Sequence, residues 1–186
     1  MAVVNPIGYL QNAGTVHTAE VIRAHAALMS VGRHTSGGLK PLGGVHREMG
    51  GGYAVTQSAA PAMSVDVAGG VALVPGTEGL VQGAYVVVNS ATETLAIAAA
   101  HATLARIDRV GIRVRDTAYS GANNDGANIV ITGTPSGSPA APAEVNNFLT
   151  LALVSVPATD TAITNSQITD MRIGLAAPGG VIFCTS

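Results

Sequence analysis

The stretch "RIDRVGIRVRDTAYSG", residues 106–121, decides how this chain is read. It places four of the nine basic residues, Arg106, Arg109, Arg113 and Arg115, within ten positions, beside Asp108 and Asp116. Val110, Ile112 and Val114 alternate with Arg109, Gly111, Arg113 and Arg115, the period-two pattern of a strand with one buried face. A sheet that binds single-stranded nucleic acid combines such basic residues with aromatic stacking platforms. Here the only aromatic is Tyr119, beyond the strand. Arg109, Arg113 and Arg115 therefore read as the solvated or interface face of a scaffold strand, close enough to Asp108 and Asp116 to pair locally, with some of them holding neighbouring segments or chains.

The segments around it have the same period. "MSVDVAG", "GVALVPG", "GAYVVVNS" and "TETLAIAA" run from residue 63 to residue 99 as strand-length pieces, with a turn at Asn89-Ser90. "ANIVITG" and "FLTLALVSVP" supply two more strands, separated by the Pro/Ser/Gly-rich "GTPSGSPAAPAE". Asp125-Gly126 reads as a hairpin turn. "SQITDMR", 166–172, reads as a short capped turn, and "GGVIFCTS" as a final strand. The expected fold is mainly β, a β-sandwich or barrel-like module, preceded by an extended arm and one N-terminal helix.

The front of the chain differs. Asn5-Pro6, Gly8 and Asn12-Ala13-Gly14 mark an arm with turns. Thr18 as N-cap and Glu20 in the first turn predict a helix over about 18–31. Val21, Ile22, Leu28 and Met29 fall on one of its faces with His25 among them, a contact surface for another copy or another protein. Protonation of His25 near its ordinary pKa of ~6.5 would set like charges against one another in such an assembly. Residues 32–52 hold eight glycines and one proline and read as irregular turns in a connector. The expected organisation is 1–52 as arm, helix and connector, 53–175 as β module, and 176–186 as a C-terminal strand or the start of a further segment.

Composition narrows the function. Charged residues are 11% of the chain, against roughly 25% in an average soluble domain, and there is no Trp, so the core has to be built from small aliphatic side chains. A net charge of −2 argues against a general polyanion binder or an anionic membrane surface. Apolar runs such as 95–100 fall far short of the ~18 residues of a spanning helix, so no membrane insertion is expected. Nor does the N-terminus, which has no basic n-region, read as a signal peptide. His17, His25, His34, His46 and His101 lack metal-ligand spacing, and Cys184 is the single cysteine, so no metal, disulfide or cofactor is expected. The glycines at 50–52 are not followed by Lys-Ser/Thr, and no G-x-S-x-G or paired-carboxylate motif is present, so no catalytic residue is expected. Asp108 in "RID" and Arg172 in "TDMR" read as structural charges, because charges inside β motifs of so uncharged a chain are expected to be paired.

The ordered series "SVDVAGGVALVPGTEGLVQGAYVVVNSATETLAI", "RIDRVGIRVRDTAYSG", "ITGTPSGSPAAP" and "LTLALVSVPATDTAITNSQITDMR" resembles a module of minor tail and baseplate proteins of long-tailed bacteriophages. "IGYLQNAGTVHTAEVIRAHAALM" resembles the arm and helix that precede it, so the resemblance runs from about residue 7 to residue 173. It implies a non-enzymatic attachment domain, commonly a homotrimer, that joins a fibre or host-recognition element to other tail proteins. It also implies a place in the virion, at the tail tip or baseplate, after synthesis in the host cytoplasm. A cell-wall polysaccharide-degrading tail protein and a capsid decoration protein are the alternatives. The first would need paired carboxylates in an aromatic-lined groove, for which four Tyr and two Phe are few.

Overall fold

A computed structural model describes residues 34–35, 38–39, 43–79 and 82–175 of the chain. The expected arm, the helix with Val21, Ile22, His25, Leu28 and Met29, and the expected C-terminal strand lie outside the described residues.

The described chain is mainly β. A short pair, β1 (His34–Thr35) and β2 (Gly38–Leu39), is followed by β3 (Gly44–Val45), β4 (Val55–Gln57), β5 (Ser64–Val67), β6 (Gly70–Pro75), β7 (Ala84–Asn89) and β8 (Glu93–Ala96). Then come β9 (Arg106–Arg115), β10 (Asp125–Ile131), β11 (Phe148–Val156), a 3-10 turn at Asn165–Gln167 and β12 (Ile168–Asp170). Beyond the β1-β2 pair there are three sheets, ordered β10-β9-β11-β12, β3-β6-β7 and β4-β5-β8. Every ladder in them is antiparallel.

One core serves all three sheets. It joins Val45, Val65, Val67, Ala72 and Val74 to Val110, Ile112, Val114, Leu149, Leu151, Val154 and Val156, with Tyr53, Ile97 and Ile163 contributed from the connections. Valine dominates because a β-branched side chain with one stiff χ1 suits a pleated, closely covered surface. On β9 the even-numbered positions Arg106, Asp108, Val110, Ile112 and Val114 are all buried, so the core face of this strand continues without a break into a pair of charges.

Strand β11 shows how register is reconciled with sequence. Its core residues are Leu149 and Leu151, then Val154 and Val156, a change from odd to even positions within one strand. In a regular strand that change would turn half of these side chains to the outside. A bulge absorbs it: Thr150 faces Gly111 and Ala152 faces Val110, so Leu151 is the extra residue.

Several sequence expectations are corrected. Residues 32–52 are not all irregular turn, because β1, β2 and β3 lie among them, and Val45 is fully buried in the core. The core thus begins before the expected boundary at 52/53. Asp125-Gly126 is not the hairpin turn but opens β10, with Asp125 opposite Arg115 and Gly126 opposite Val114. The turn is the longer 116–124 segment, where the Asp116 backbone carbonyl accepts from the N–H groups of Tyr119 and Gly121. Strands β7 and β8, on either side of Asn89-Ser90, do not pair with each other; β7 pairs with β6 and β8 with β5. In "SQITDMR" the 3-10 turn, capped by Thr164 and Gln167, covers only the front, and Ile168–Asp170 joins β11 as an edge strand.

Candidate functional site

Alternation along β9 carries Arg106 and Asp108 onto the face that Val110 and Ile112 bury. The guanidinium Nε lies 2.9 Å from Asp108 Oδ1 and 3.2 Å from Oδ2, and Nη2 lies 3.1 Å from Oδ2. Its other donors reach the carbonyls of Ala98 and Ala99, the latter at 2.7 Å. Asp108 Oδ1 also accepts the Gly133 N–H at 2.8 Å. Gly133 is required there, because a Cβ would lie 2.0 Å from the Ile107 carbonyl oxygen. The pair thus joins three chain segments, with side-chain exposures of 4% and 0%. Two charges so far from water persist because each is matched by the other and by further hydrogen bonds.

The remaining arginines of β9 face outward and sideways. Arg109 holds the loop before β11, donating to the Pro142 carbonyl at 2.9 Å, Thr150 Oγ1 at 2.7 Å and Glu144 Oε1 at 3.1 Å. Arg115 pairs across the ladder with Asp125. Arg113 is exposed. The sequence expectation that Asp108 and Asp116 serve these three arginines is therefore corrected. Asp108 goes to Arg106, and Asp116 Oδ2 accepts the Tyr85 hydroxyl at 2.9 Å.

Arg172 repeats the arrangement of Asp108 beyond the end of β12, in the same sheet. Its carboxylate partner is also two residues away in the chain: Asp170, the last residue of β12, accepts from Nε at 2.8 Å and from Nη2 at 2.7 Å. Arg172 Nη1 donates to the Gly52 carbonyl at 2.8 Å, and Arg47 Nη2 donates to the Arg172 carbonyl at 2.8 Å. The Arg172 guanidinium holds the Asp170 carboxyl down at about 2. Asp108 and Arg172 are not brought together; each belongs to its own pair.

A polar cluster that the sequence reading missed ties three loops at one end of the module. Glu78 accepts from the Ser120 hydroxyl and N–H, from Asn146 Nδ2 at 3.2 Å and from Asn147 Nδ2 at 2.6 Å. Buried Gln82 accepts the Glu78 N–H at 2.7 Å and donates to the Tyr85 hydroxyl at 2.8 Å. Asn147 and Thr77 exchange a reciprocal pair of bonds at 2.9 and 3.0 Å. The Ser120 hydroxyl, with the two asparagine amides, holds the Glu78 carboxyl below the usual carboxylate range. A carboxylate held this way is an acceptor and a poor proton donor. The one signal in the sequence was a group of polar residues at strand ends, which solvent-facing loops also have.

Among the described residues, no three His, Cys, Asp or Glu side chains come together to hold a metal ion. Among the same residues, no helix is long and apolar enough to cross a membrane. His101 serves its own turn, with Nδ1 accepting the N–H groups of Thr103 and Leu104 at 3.2 and 3.1 Å.

Comparison of the chain with family profiles, with curated proteins and with solved structures finds no match.

Proposed function

We propose that the chain is a structural virion protein of a bacteriophage tail tip or baseplate, which attaches a fibre or host-recognition element to other tail proteins. The observation that carries this reading is how the resembling series lies on the fold. "SVDVAGGVALVPG" runs through β5 and β6, "RIDRVGIRVR" is β9, and "LTLALVSV" to "ITD" runs from β11 to β12, all packed on one core. In this reading the three sheets form a sandwich or barrel-like block, and the chain before it, with Val21, Ile22, His25, Leu28 and Met29, docks the block in a homotrimer or on a partner.

The use of charge supports a structural role over an enzymatic one. Arg106, Arg109, Arg115 and Arg172 bind segments of their own chain, and Glu78 joins loops through its carboxylate. This pairing also leaves little of β9 for a nucleic acid backbone.

Antibody labelling of virions that carry the chain tests the proposal. Label at the tail tip or baseplate is expected. Label on the capsid surface would support the decoration reading, and release of fragments from host cell-wall glycans by the purified chain would support the enzyme. Either result would overturn the proposal.

A further inference from the structure

We propose that the corner where β3 meets residues 172–175 is a mechanical clamp, which resists force applied along the chain through its two flanks. Val45 and Gly174 form a parallel bridge. The Val45 N–H donates to the Ile173 carbonyl and the Leu175 N–H to the Val45 carbonyl, both at 2.8 Å. Since Val45 is fully buried, these two bonds are shielded from competing water. The side-chain bonds from Arg47 to the Arg172 carbonyl and from Arg172 to the Gly52 carbonyl join the same two segments, and Asp170 anchors Arg172 to β12.

Direction makes this corner a clamp. In a parallel pair both segments run the same way, so the chain before β3 leaves at one end of the pair and the chain after Leu175 leaves at the other. Pulling the two flanks apart therefore slides the segments past each other. Bonds that lie across the direction of sliding are loaded together and have to break together. If both segments were pulled from the same end, the bonds would open one at a time. On the far side β3 is held by β6, through the pairs Gly44–Leu73 and Val45–Ala72 and the bond from the His46 N–H to the Val71 carbonyl. Load is thus passed into the core. That such load acts on the chain in a virion rests on the attachment reading; the resistance itself does not.

Single-molecule pulling of the full chain tests the clamp. In the first geometry the handles are Ala2→Cys and the native Cys184, and force crosses the corner in shear. In the second they are Ala2→Cys and Met171→Cys, with Cys184→Ser, and force meets the pair from one end. The same N-terminal flank is stretched in both, so the comparison isolates the corner. Forced unfolding reports the unfolding barrier, and the first geometry is expected to need roughly twice the force of the second or more. Arg172→Met, which removes the bonds to the Gly52 carbonyl and to Asp170, is expected to lower the first force and leave the second nearly unchanged. Equal forces in the two geometries would overturn the proposal. So would an equal fractional loss in both on Arg172→Met, since that describes a residue of general stability. The handle comparison needs no change within the clamp, and it decides the matter even where a clamp variant fails to fold. Because it is made outside the virion, neither result bears on where the protein is located.

Discussion

Arg106–Asp108 and Arg115–Asp125 are both pairs of a β9 arginine with an aspartate, the first within the strand and the second across to β10, with bonds of similar length from Nε to a carboxylate oxygen, 2.9 and 2.7 Å. Their surroundings are opposite. The first pair has side-chain exposures of 4% and 0%, the second of 36% and 40%. In the first, either partner left alone would be a charge in the core, with the Ala98 and Ala99 carbonyls or the Gly133 N–H also left unmatched. In the second, water replaces a lost partner. The lesson is that the consequence of an ion pair is set by what would solvate its members once the pair is broken.

The largest expected effect comes from breaking the buried pair. Asp108→Ala should destabilise the fold by about 3–5 kcal/mol, because it strands the Arg106 guanidinium in the core. Urea unfolding followed by circular dichroism measures it. A loss below about 1 kcal/mol would put this pair in the class of surface pairs and end the distinction. Adding Arg106→Ala to Asp108→Ala should cost far less than the two single losses summed, as a double-mutant cycle would show.

Next in size is a change on the other face of the same strand, where no charge is altered. Gly111 faces Phe148 and Leu149 so closely that an added Cβ would lie 2.3 Å from Phe148 Cζ and 2.4 Å from the Leu149 carbonyl oxygen. Gly111→Ala should cost about 1–3 kcal/mol as the ring and the β11 backbone are pushed aside. A melting temperature unchanged from that of the parent chain would mean that β11 yields freely. This variant separates close packing on β9 from charge matching.

Asp170–Arg172 joins an exposed carboxylate to a mostly buried guanidinium, with side-chain exposures of 48% and 15%, and acid is the natural probe of it. Asp170 has a folded-state pKa lowered to about 2, so the unfolded chain binds its proton first as pH falls. The contribution of the group is therefore complete above the ordinary aspartate pKa of ~3.9 and is lost as pH falls from there towards the folded value. Unfolding midpoints followed between neutral pH and about pH 2 should fall less steeply for Asp170→Asn than for the parent chain. Parallel acid limbs would show that the pair contributes nothing to the pH dependence. The effect is modest, because nearby water screens the pair.

The smallest effect completes the comparison. Arg115→Ala, which removes the exposed partner of Asp125, should leave the unfolding midpoint unchanged within measurement error. A shift as large as that of Asp108→Ala would mean that exposure is a poor guide to the consequence of an ion pair in this fold.

Much of the strand layout is legible in the sequence. β5, β6, β7, β8, β9 and β11 fall within the segments that period-two alternation marks out, because alternation is a local consequence of one side of a strand being covered. What alternation does not carry is partnership. The Asp125-Gly126 dipeptide has turn chemistry, yet the ladder extends to Asp125, where its carboxylate meets Arg115 across the sheet. Residues 43–45 have the glycine content of a connector, yet they are held from both sides, by β6 and by residues 173–175. The Glu78 cluster was invisible for the same reason: Thr77-Glu78, Ser120 and Asn147 are three sites far apart in the chain that become neighbours only where three loops converge.

By itself the sequence determined that this is a mainly β chain with a small-side-chain core and a strand of arginines, since composition and periodicity are properties of neighbouring residues. Only the tertiary structure decided which charge is buried. Alternation sets Arg106 on the face of Val110 and Ile112 and Arg115 on the opposite face, each within two residues of an aspartate, but it does not say whether either end of the strand is covered. They differ because the Ala98–Ala99 segment and Gly133 close over one end of β9 and leave the other open. Burial depends on what the rest of the chain brings alongside, and alternation along one strand holds no record of that.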